Sequence, residues 1–289
     1  MPPKVLALLE SLPIHPFRLL HSAEVRRAIR SGPPYRPSHR GIAIEITTMC
    51  NLHCVDCDRS CGEGQAMSDD RMSAAQIERF IGESVAANRR WESIELEGGE
   101  PTLHPEFFDI LSLLLRYRKE HSPWTNIKLF TNGYGETVQR VISRLPSLGV
   151  DVYNSRKRSP VQEHHVAFNV APCELPEHSD TDFSQGCYMP VIRGLALTKY
   201  GYYPHPVCGG IDRVFGFDIG RKTLPSSDDP MTEHFEKLCR FCGMFLHRQR
   251  MPSGGEQASQ PELSRGQKTE SWNTAYRNYR QKKPVLTNY

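Results

Sequence analysis

The sequence predicts an α/β fold: a parallel sheet in a partial, shortened (β/α) barrel, followed by a small cysteine-rich hairpin-plus-helix unit. Three observations predict it. Strand and helix signals alternate from Gly41 onward, as a parallel sheet with crossover helices requires. Between the fourth strand and the fifth only Ser155 to His165 remain, with Pro160 inside, so a fourth helix has room for one or two turns. The composition then changes after Val170, where a Pro- and acid-rich connector leads into a region holding four cysteines.

The elements follow in order. Val5 to Arg30 carries helical apolar spacing broken by Pro13 and Pro16, and Gly32-Pro33-Pro34 stops it. The first strand is Ile42 to Thr47. Ser73-Ala74-Ala75-Gln76 reads as a capping box that opens a helix running to about Asn88. Ser93 to Leu96 is the second strand. The next helix spans about Pro105 to Glu120, with Phe107, Phe108, Ile110, Leu111 and Leu114 as its buried stripe. Asn126 to Phe130 is the third strand, followed by a helix near Val138 to Leu145. The fourth and fifth strands are Val150 to Asn154 and Val166 to Val170. Leu195 to Tyr200 and Tyr202 to Pro206 flank Gly201 as a hairpin, and Thr232 to Phe245 reads as a helix. Pro252 to Glu270 lacks the apolar content to fold, whereas Ser271 to Arg280 places Trp272, Tyr276 and Tyr279 at helical spacing. The expected divisions are 1–35, 36–171, 172–247 and 248–289.

Composition narrows the function classes. At 289 residues and 38% hydrophobic content the chain can bury one main core with room for a smaller addition. A net charge of +3 without a basic face argues against a nucleic-acid partner. The apolar run Val5 to Leu9 is too short for a signal peptide, and no stretch predicts a membrane span. Nine cysteines, an odd number, are then expected in a reducing, cytoplasmic setting, where metal ligation is favoured over disulfides.

The cysteines carry the chemistry. Cys50, Cys54 and Cys57 form a C-x3-C-x2-C run directly after the first strand. Three thiolates on one loop can bind three irons of a 4Fe-4S cluster and leave the fourth open. About forty residues later, the second strand ends in Gly98-Gly99-Glu100-Pro101, a turn where glycine lets backbone approach a ligand and a carboxylate can receive an ammonium. Taken together, the two motifs resemble the radical S-adenosylmethionine (SAM) superfamily. Ile127 to Gly133 is similar to that family's third strand, which often ends in Thr-Asn-Gly as it does here.

The resemblance implies that the methionine amino and carboxylate groups of SAM chelate the open iron, with Glu100 and the Gly98-Gly99 backbone placing the amino end. The ribose is expected near Thr131, Asn132, Asn154 and Ser155. A 5′-deoxyadenosyl radical would then abstract hydrogen from a small-molecule substrate, with a flavodoxin- or ferredoxin-type electron donor as partner. Asp56 departs from the family pattern, since the position before the third cysteine is often aromatic or apolar.

Cys187, Cys208, Cys239 and Cys242 are four further thiolates, enough for a second, auxiliary 4Fe-4S cluster or for tetrahedral zinc. Here the chain resembles the twitch domain, a shortened SPASM domain. It departs in one respect: His205 stands four residues after Gly201, where the pattern has its cysteine, and Cys208 comes three later. Cys208 is the expected ligand, with His205 in its place or an absent cluster as the alternatives. Cys61 can instead close a four-thiolate site with the first loop, which leaves the Gly98-Gly99-Glu100 turn unexplained. Cys173 is a candidate hydrogen donor or a plain buried thiol, and His53 and His104 read as supporting or surface groups.

Three outcomes stay open for the substrate radical: dehydrogenation, a cross-link after deprotonation, and epimerisation. The build resembles enzymes that act on sugars and aminocyclitols, and the acids Glu174, Glu177, Asp180 and Asp182 suit an amino sugar as readily as they suit solvent. Peptide modification is the rival, disfavoured by an N-terminal segment shorter than the roughly eighty residues of a leader-recognition domain. A non-catalytic iron-sulfur or zinc scaffold is the third reading.

Overall fold

In the computed structural model the structure describes residues 23, 25–28, 30–61, 70–159, 167–248 and 266–289. Most of the first expected helix and of the Pro252 to Glu270 stretch lies outside the described residues. The backbone at 25–28 and 30–31 is helical, as the spacing predicts.

Strands β1 (Gly41–Thr47), β2 (Ser93–Gly98), β3 (Asn126–Thr131) and β4 (Asp151–Asn154) lie side by side in parallel, joined by helices α1 (Ala74–Ala86), α2 (Phe107–His121) and α3 (Glu136–Ile142). This is a mixed α/β fold with a six-stranded, mostly parallel sheet, consistent with a partial barrel. The register is continuous from Gly41 opposite Ser93 to Glu45 opposite Glu97, and shifts where Thr47 meets Gly98. That irregularity falls where the strands hand over to the cysteine loop and the glycine turn. At the front of α1 both halves of the Ser73–Gln76 capping box form.

The fifth strand is not where the sequence places it. Residues 167–170 form a turn, and β5 is Leu195–Thr198, running parallel to β1 with Ile42 opposite Leu195. A short helix α4 (Met189–Arg193) precedes it, and β6 (Gly201–Tyr203) returns antiparallel. The expected hairpin therefore exists, but it extends the barrel sheet in the order β4-β3-β2-β1-β5-β6. The end of the Val166 to Val170 run is apolar for another reason: Val170 is buried, and Ala171 after it packs in a cluster with side chains of the later helices. Those helices are α5 (Pro206–Phe215), α6 (Thr232–Cys239), α7 (Gly243–Arg248) and α8 (Glu270–Gln281). The helix expected over Thr232 to Phe245 breaks at the turn Arg240–Phe241, which brings Cys239 and Cys242 together.

Alternation along the strands divides the sheet into two faces. Ile42, Ile44, Ile46, Ile94, Leu96, Ile127, Leu129, Leu195 and Leu197 point to one side and pack on Phe80, Trp91, Phe107, Ile110, Leu111 and Leu114. Phe108, expected in that stripe, is only partly buried. Glu45, Glu95, Glu97, Lys128, Phe130 and Tyr153 point the other way. Parallel strands covered on both faces normally read as unbroken apolar runs. The polar alternation here marks an inner face that lines a cavity.

Candidate functional site

The cavity occupies about 450 Å³ at that inner face. Three chain segments converge on it because each leaves the end of a neighbouring strand. The cysteine loop leaves β1, the glycine turn leaves β2, and Thr131-Asn132-Gly133 leaves β3. Gly99 N donates to Thr47 O at 2.9 Å and Glu100 N to Met49 O at 2.7 Å, which binds the glycine turn to the root of the cysteine loop. Asn132 Nδ2 donates to Asn51 Oδ1 at 2.8 Å, and Asn51 Nδ2 to Tyr134 O at 2.6 Å, which ties the loop to the third segment.

Gly99 is required there by close approach: a Cβ would lie 2.8 Å from Cys50 Cβ and overlap Met49 O. Gly133 has φ +68°, and a Cβ there would collide with the Asn154 side chain. Asn154 is thus held under the turn, where its Oδ1 accepts from Arg156 N at 2.8 Å.

Glu100 is fully buried, and both carboxylate oxygens are occupied. Oε1 accepts from Thr102 N at 3.2 Å and Thr102 Oγ1 at 2.7 Å, Oε2 from Asn132 N at 2.8 Å, and Thr131 Oγ1 lies 2.9 Å from both. The carboxylate clamps the second motif to the third. Gly98, Gly99, Thr131, Asn132 and Ser155 line the cavity; Glu100 and Asn154 stand behind them.

Cys50, Cys54 and Cys57 are half-buried on the loop. Burial pushes the Cys50 thiol up to about 11, with Cys57 and Cys54 adding to the rise. A hydrogen bond with Cys61 outweighs burial and brings the Cys57 thiol down to about 7. Lys157 Nζ donates to Cys54 Sγ at 3.3 Å, and Asn132 Nδ2 reaches Cys50 Sγ at 3.7 Å. Three soft donors on one loop, two of them met by the N–H donors of Lys157 and Asn132, fit an iron-sulfur cluster. No group of three or more His, Cys, Asp or Glu side chains among the described residues converges on the point a single metal ion would occupy. A four-iron cluster holds its thiolates farther apart than one ion does.

Residues 44–166 match the family model described as Radical SAM superfamily. This chain carries a radical SAM domain. It is 31% identical over 113 residues to a probable GTP 3′,8-cyclase of Pyrococcus horikoshii, covering 39% of this chain and 32% of that protein. To the GTP 3′,8-cyclase of Mannheimia succiniciproducens it is 28% identical over 116 residues, 39% of this chain and 31% of that one. The chain therefore spans about a third of the length of the curated relatives it matches. A solved structure described as BtrN in complex with AdoMet and 2-DOIA aligns with TM-score 0.42 and 12% identity over 72% of this chain and 89% of that one.

Around the radical SAM motifs stands an ion network that the sequence did not disclose. Glu97 pairs with both Arg59 and Arg193, Glu95 with Lys128 at 2.9 Å and Arg193 at 3.0 Å, and Glu45 with Arg213 at 2.6 Å. Arg213 is buried on α5 and also donates to Arg59 O, so it joins that helix to the cysteine loop. Phe130 and Tyr153 stack with centroids 4.9 Å apart, and Arg193 lies over Phe130. The acids on alternate positions of β1 and β2 were the one available signal; their partners come from distant segments and have none.

Cys187, Cys208, Cys239 and Cys242 are all buried in a second apolar cluster with Phe183, Phe235, Leu238, Phe245 and Trp272. Burial, then the mutual proximity of the thiols, raises Cys208 and Cys239 well above the usual range. Cys208 sits in the first turn of α5 and not on the hairpin, while His205 caps that helix and lines the cavity. Cys173 does not line the cavity: it packs at the edge of this second cluster, with its backbone N–H on Arg240 O. Glu174 accepts from Glu270 N and Ser271 N at the start of α8, and Asp182 from Ser184 N, so these acids hold backbone. His104 Nε2 meets Met72 O at 2.9 Å, a supporting contact, and His53 is exposed. Asp56 is buried with Oδ2 accepting from Gly266 N. No helix among the described residues is long and apolar enough to cross a membrane.

Proposed function

We propose that this radical SAM protein acts on a small hydroxyl-rich molecule of the sugar or aminocyclitol kind, bound in the 450 Å³ cavity beside the cysteine loop. The observation that carries the reading is the convergence of the cysteine loop, the Gly98-Gly99 turn and the Thr131-Asn132 turn on one cavity of small-ligand size. Cys50, Cys54 and Cys57 would hold a 4Fe-4S cluster. When bound, cluster and SAM supply a 5′-deoxyadenosyl radical by reductive cleavage, with a flavodoxin- or ferredoxin-type protein as electron donor in a reducing, cytoplasmic setting.

The chain's own residues do the rest. Gly98 and Gly99 present backbone at the cavity wall, Glu100 fixes the two turns relative to each other, and Ser155 with Asn132 lies where the ribose is expected. Phe130, Tyr153, Met189 and Met244 give the cavity apolar walls that exclude water from the reacting centre. Cys187, Cys208, Cys239 and Cys242 form one compact group that suits an auxiliary cluster, in the manner of a twitch domain, and such a cluster would accept an electron in a dehydrogenation. Cys173 as a hydrogen donor, which an epimerisation would need, is less supported because it lies off the cavity lining.

The test is anaerobic reconstitution with iron and sulfide, then dithionite and SAM, with 5′-deoxyadenosine and iron per chain as readouts. Product with about eight irons supports both clusters, and product with about four supports the first alone. An intact cluster with no 5′-deoxyadenosine, with or without sugar and cyclitol candidates, overturns the reading.

A further inference from the structure

A second wall of the cavity is built by α4, β5 and the start of α5, and its chemistry is unused by the motifs described above. His205 is 6% exposed and lines the cavity. Its Nδ1 accepts from Val207 N at 3.4 Å, which places the proton of the neutral ring on Nε2. Nε2–H has no acceptor among the described residues.

Arg193 stands beside it. One terminal nitrogen engages Glu95 and Glu97, and the guanidinium lies 4.9 Å over Phe130, so the group is fixed while its other N–H donors stay unspent among the described residues. The α5 N-terminus adds to the same sign, since Pro206 and Val207 also line the cavity. On the inner face Lys128, Arg193 and Arg59 face Glu95 and Glu97, and Glu45 pairs with Arg213 and lies 3.8 Å from Arg59. At the rim Asp58 pairs with Arg59 at 3.5 Å, and Lys157 is committed to Cys54.

We propose that His205 and Arg193 form a subsite for an anionic oxygen group of the substrate, a carboxylate or a phosphate. This rests on the reading that the cavity holds a small-molecule substrate, and it narrows that substrate to an acidic one. Radical chemistry needs water excluded, and a dry cavity leaves a buried imidazole N–H and the remaining guanidinium N–H donors without acceptors unless the substrate brings them. A planar guanidinium and a neutral N–H donor suit two oxygens of one oxyanion. An ammonium group would meet only the N–H donors of His205 and Arg193 on this wall.

The test uses the full chain, reconstituted anaerobically and saturated with SAM, and measures binding of four hexoses by saturation-transfer NMR: glucose, glucosamine, glucuronate and glucose 6-phosphate. Glucuronate or glucose 6-phosphate should bind at least about tenfold more tightly than glucose, and the better of the two identifies the oxyanion. Arg193→Met and His205→Phe should each remove about tenfold of that preference, and Arg193→Lys and His205→Gln should keep part of it. Since Arg193→Met strips Glu95 and Glu97 of a partner, the His205 pair carries the test if that variant does not fold. Preference for glucosamine, equal binding of all four, no binding of any, or a preference unchanged in both variants would overturn the proposal. So would weakened SAM binding in those variants, which would assign the subsite to the cofactor. Formation of 5′-deoxyadenosine by the same wild-type preparation is scored separately, so failure of the radical reading is distinguishable from failure of the subsite.

Discussion

Tyr276 Oη lies 2.9 Å from Ser60 Oγ and also accepts from Asn169 Nδ2 at 2.7 Å. One phenol at the far end of the chain thus ties α8 to the loop that carries Cys57 and to the segment leading into the second cysteine cluster. Trp272, one turn earlier, donates Nε1–H to Phe241 O at 2.8 Å beside Cys242. Helix α8 is therefore a lid shared by both thiol groups. Tyr276→Phe leaves two buried polar groups short of a partner, and it should cost about 1–3 kcal/mol in urea unfolding. Ser60→Ala should cost less, because Asn169 keeps its acceptor. Equal effects from the two variants would show that Ser60 carries the link alone.

Glu100 makes a second prediction. Its carboxylate receives only donors, from Thr102, Thr131 and Asn132. In Glu100→Gln the amide NH2 must face one of those N–H or O–H groups, so a buried donor loses its acceptor. A loss of about 1–3 kcal/mol in thermal or urea unfolding is expected for the cluster-free protein. Glu100→Asp, which keeps the charge and shortens the reach, should fall between the two. Wild-type stability in Glu100→Gln would mean that the clamp is not structural.

His39 gives a pH dependence. Burial, and then the Arg89 charge, holds its pKa down at about 4, against the weaker pull of Asp229 and Asp228, and both ring nitrogens lack hydrogen-bond partners among the described residues. A histidine lowered on folding is protonated first in the unfolded chain. Its contribution is full above pH 6.5 and is lost as the pH falls toward about 4. The slope from this one group is at most about 1.4 kcal/mol per pH unit. His39→Gln should flatten the urea midpoint against pH across that window relative to wild type. Parallel profiles would show that His39 is not the titrating group.

Gly99 tests the packing of the first two motifs. A methyl group there meets Cys50 Cβ and Met49 O, backbone and side-chain root that have no rotamer to yield. Gly99→Ala should push the cysteine loop off the β2 turn, cost about 1–3 kcal/mol and lower iron incorporation. Gly82→Ala, where the added methyl meets nothing within 4 Å, is the control and should be neutral or slightly stabilising. Full iron content in Gly99→Ala would contradict the contact.

What was legible in the sequence was the part written in short-range pattern. Ile42 to Thr47 and Ile94 to Glu97 alternate, so the strands and their two faces were readable, and the Ser73–Gln76 cap placed α1. The fifth strand was misread because Val166 to Val170 and Leu195 to Thr198 are both short apolar runs, and only tertiary contact chooses between them. Once Leu195 lies beside Ile42, the hairpin joins the barrel sheet. The cysteine and glycine motifs located the site, but Arg59, Arg193 and Arg213 have no local signature, because each owes its position to a carboxylate on a distant strand. Acidic residues 174 and 182 suit a substrate by sequence alone, and only the tertiary structure shows that they accept from backbone N–H groups.

The two cysteine groups should separate in function. Cys54 stands on the loop beside the cavity with Lys157 on its sulfur, so Cys54→Ala should abolish 5′-deoxyadenosine formation from SAM and dithionite. Cys239 is buried among Phe235, Leu238 and Trp272, away from the cavity lining, so Cys239→Ala should leave SAM cleavage within about threefold of wild type. The same variant should carry less iron and lose turnover of a true substrate. Removing a buried thiol also leaves a small void, worth about 1–2 kcal/mol at most, so the protein should remain folded for the comparison. Retained cleavage in Cys54→Ala would sink the assignment of the first loop, and lost cleavage in Cys239→Ala would mean that the second group supports the first cluster and not a later step.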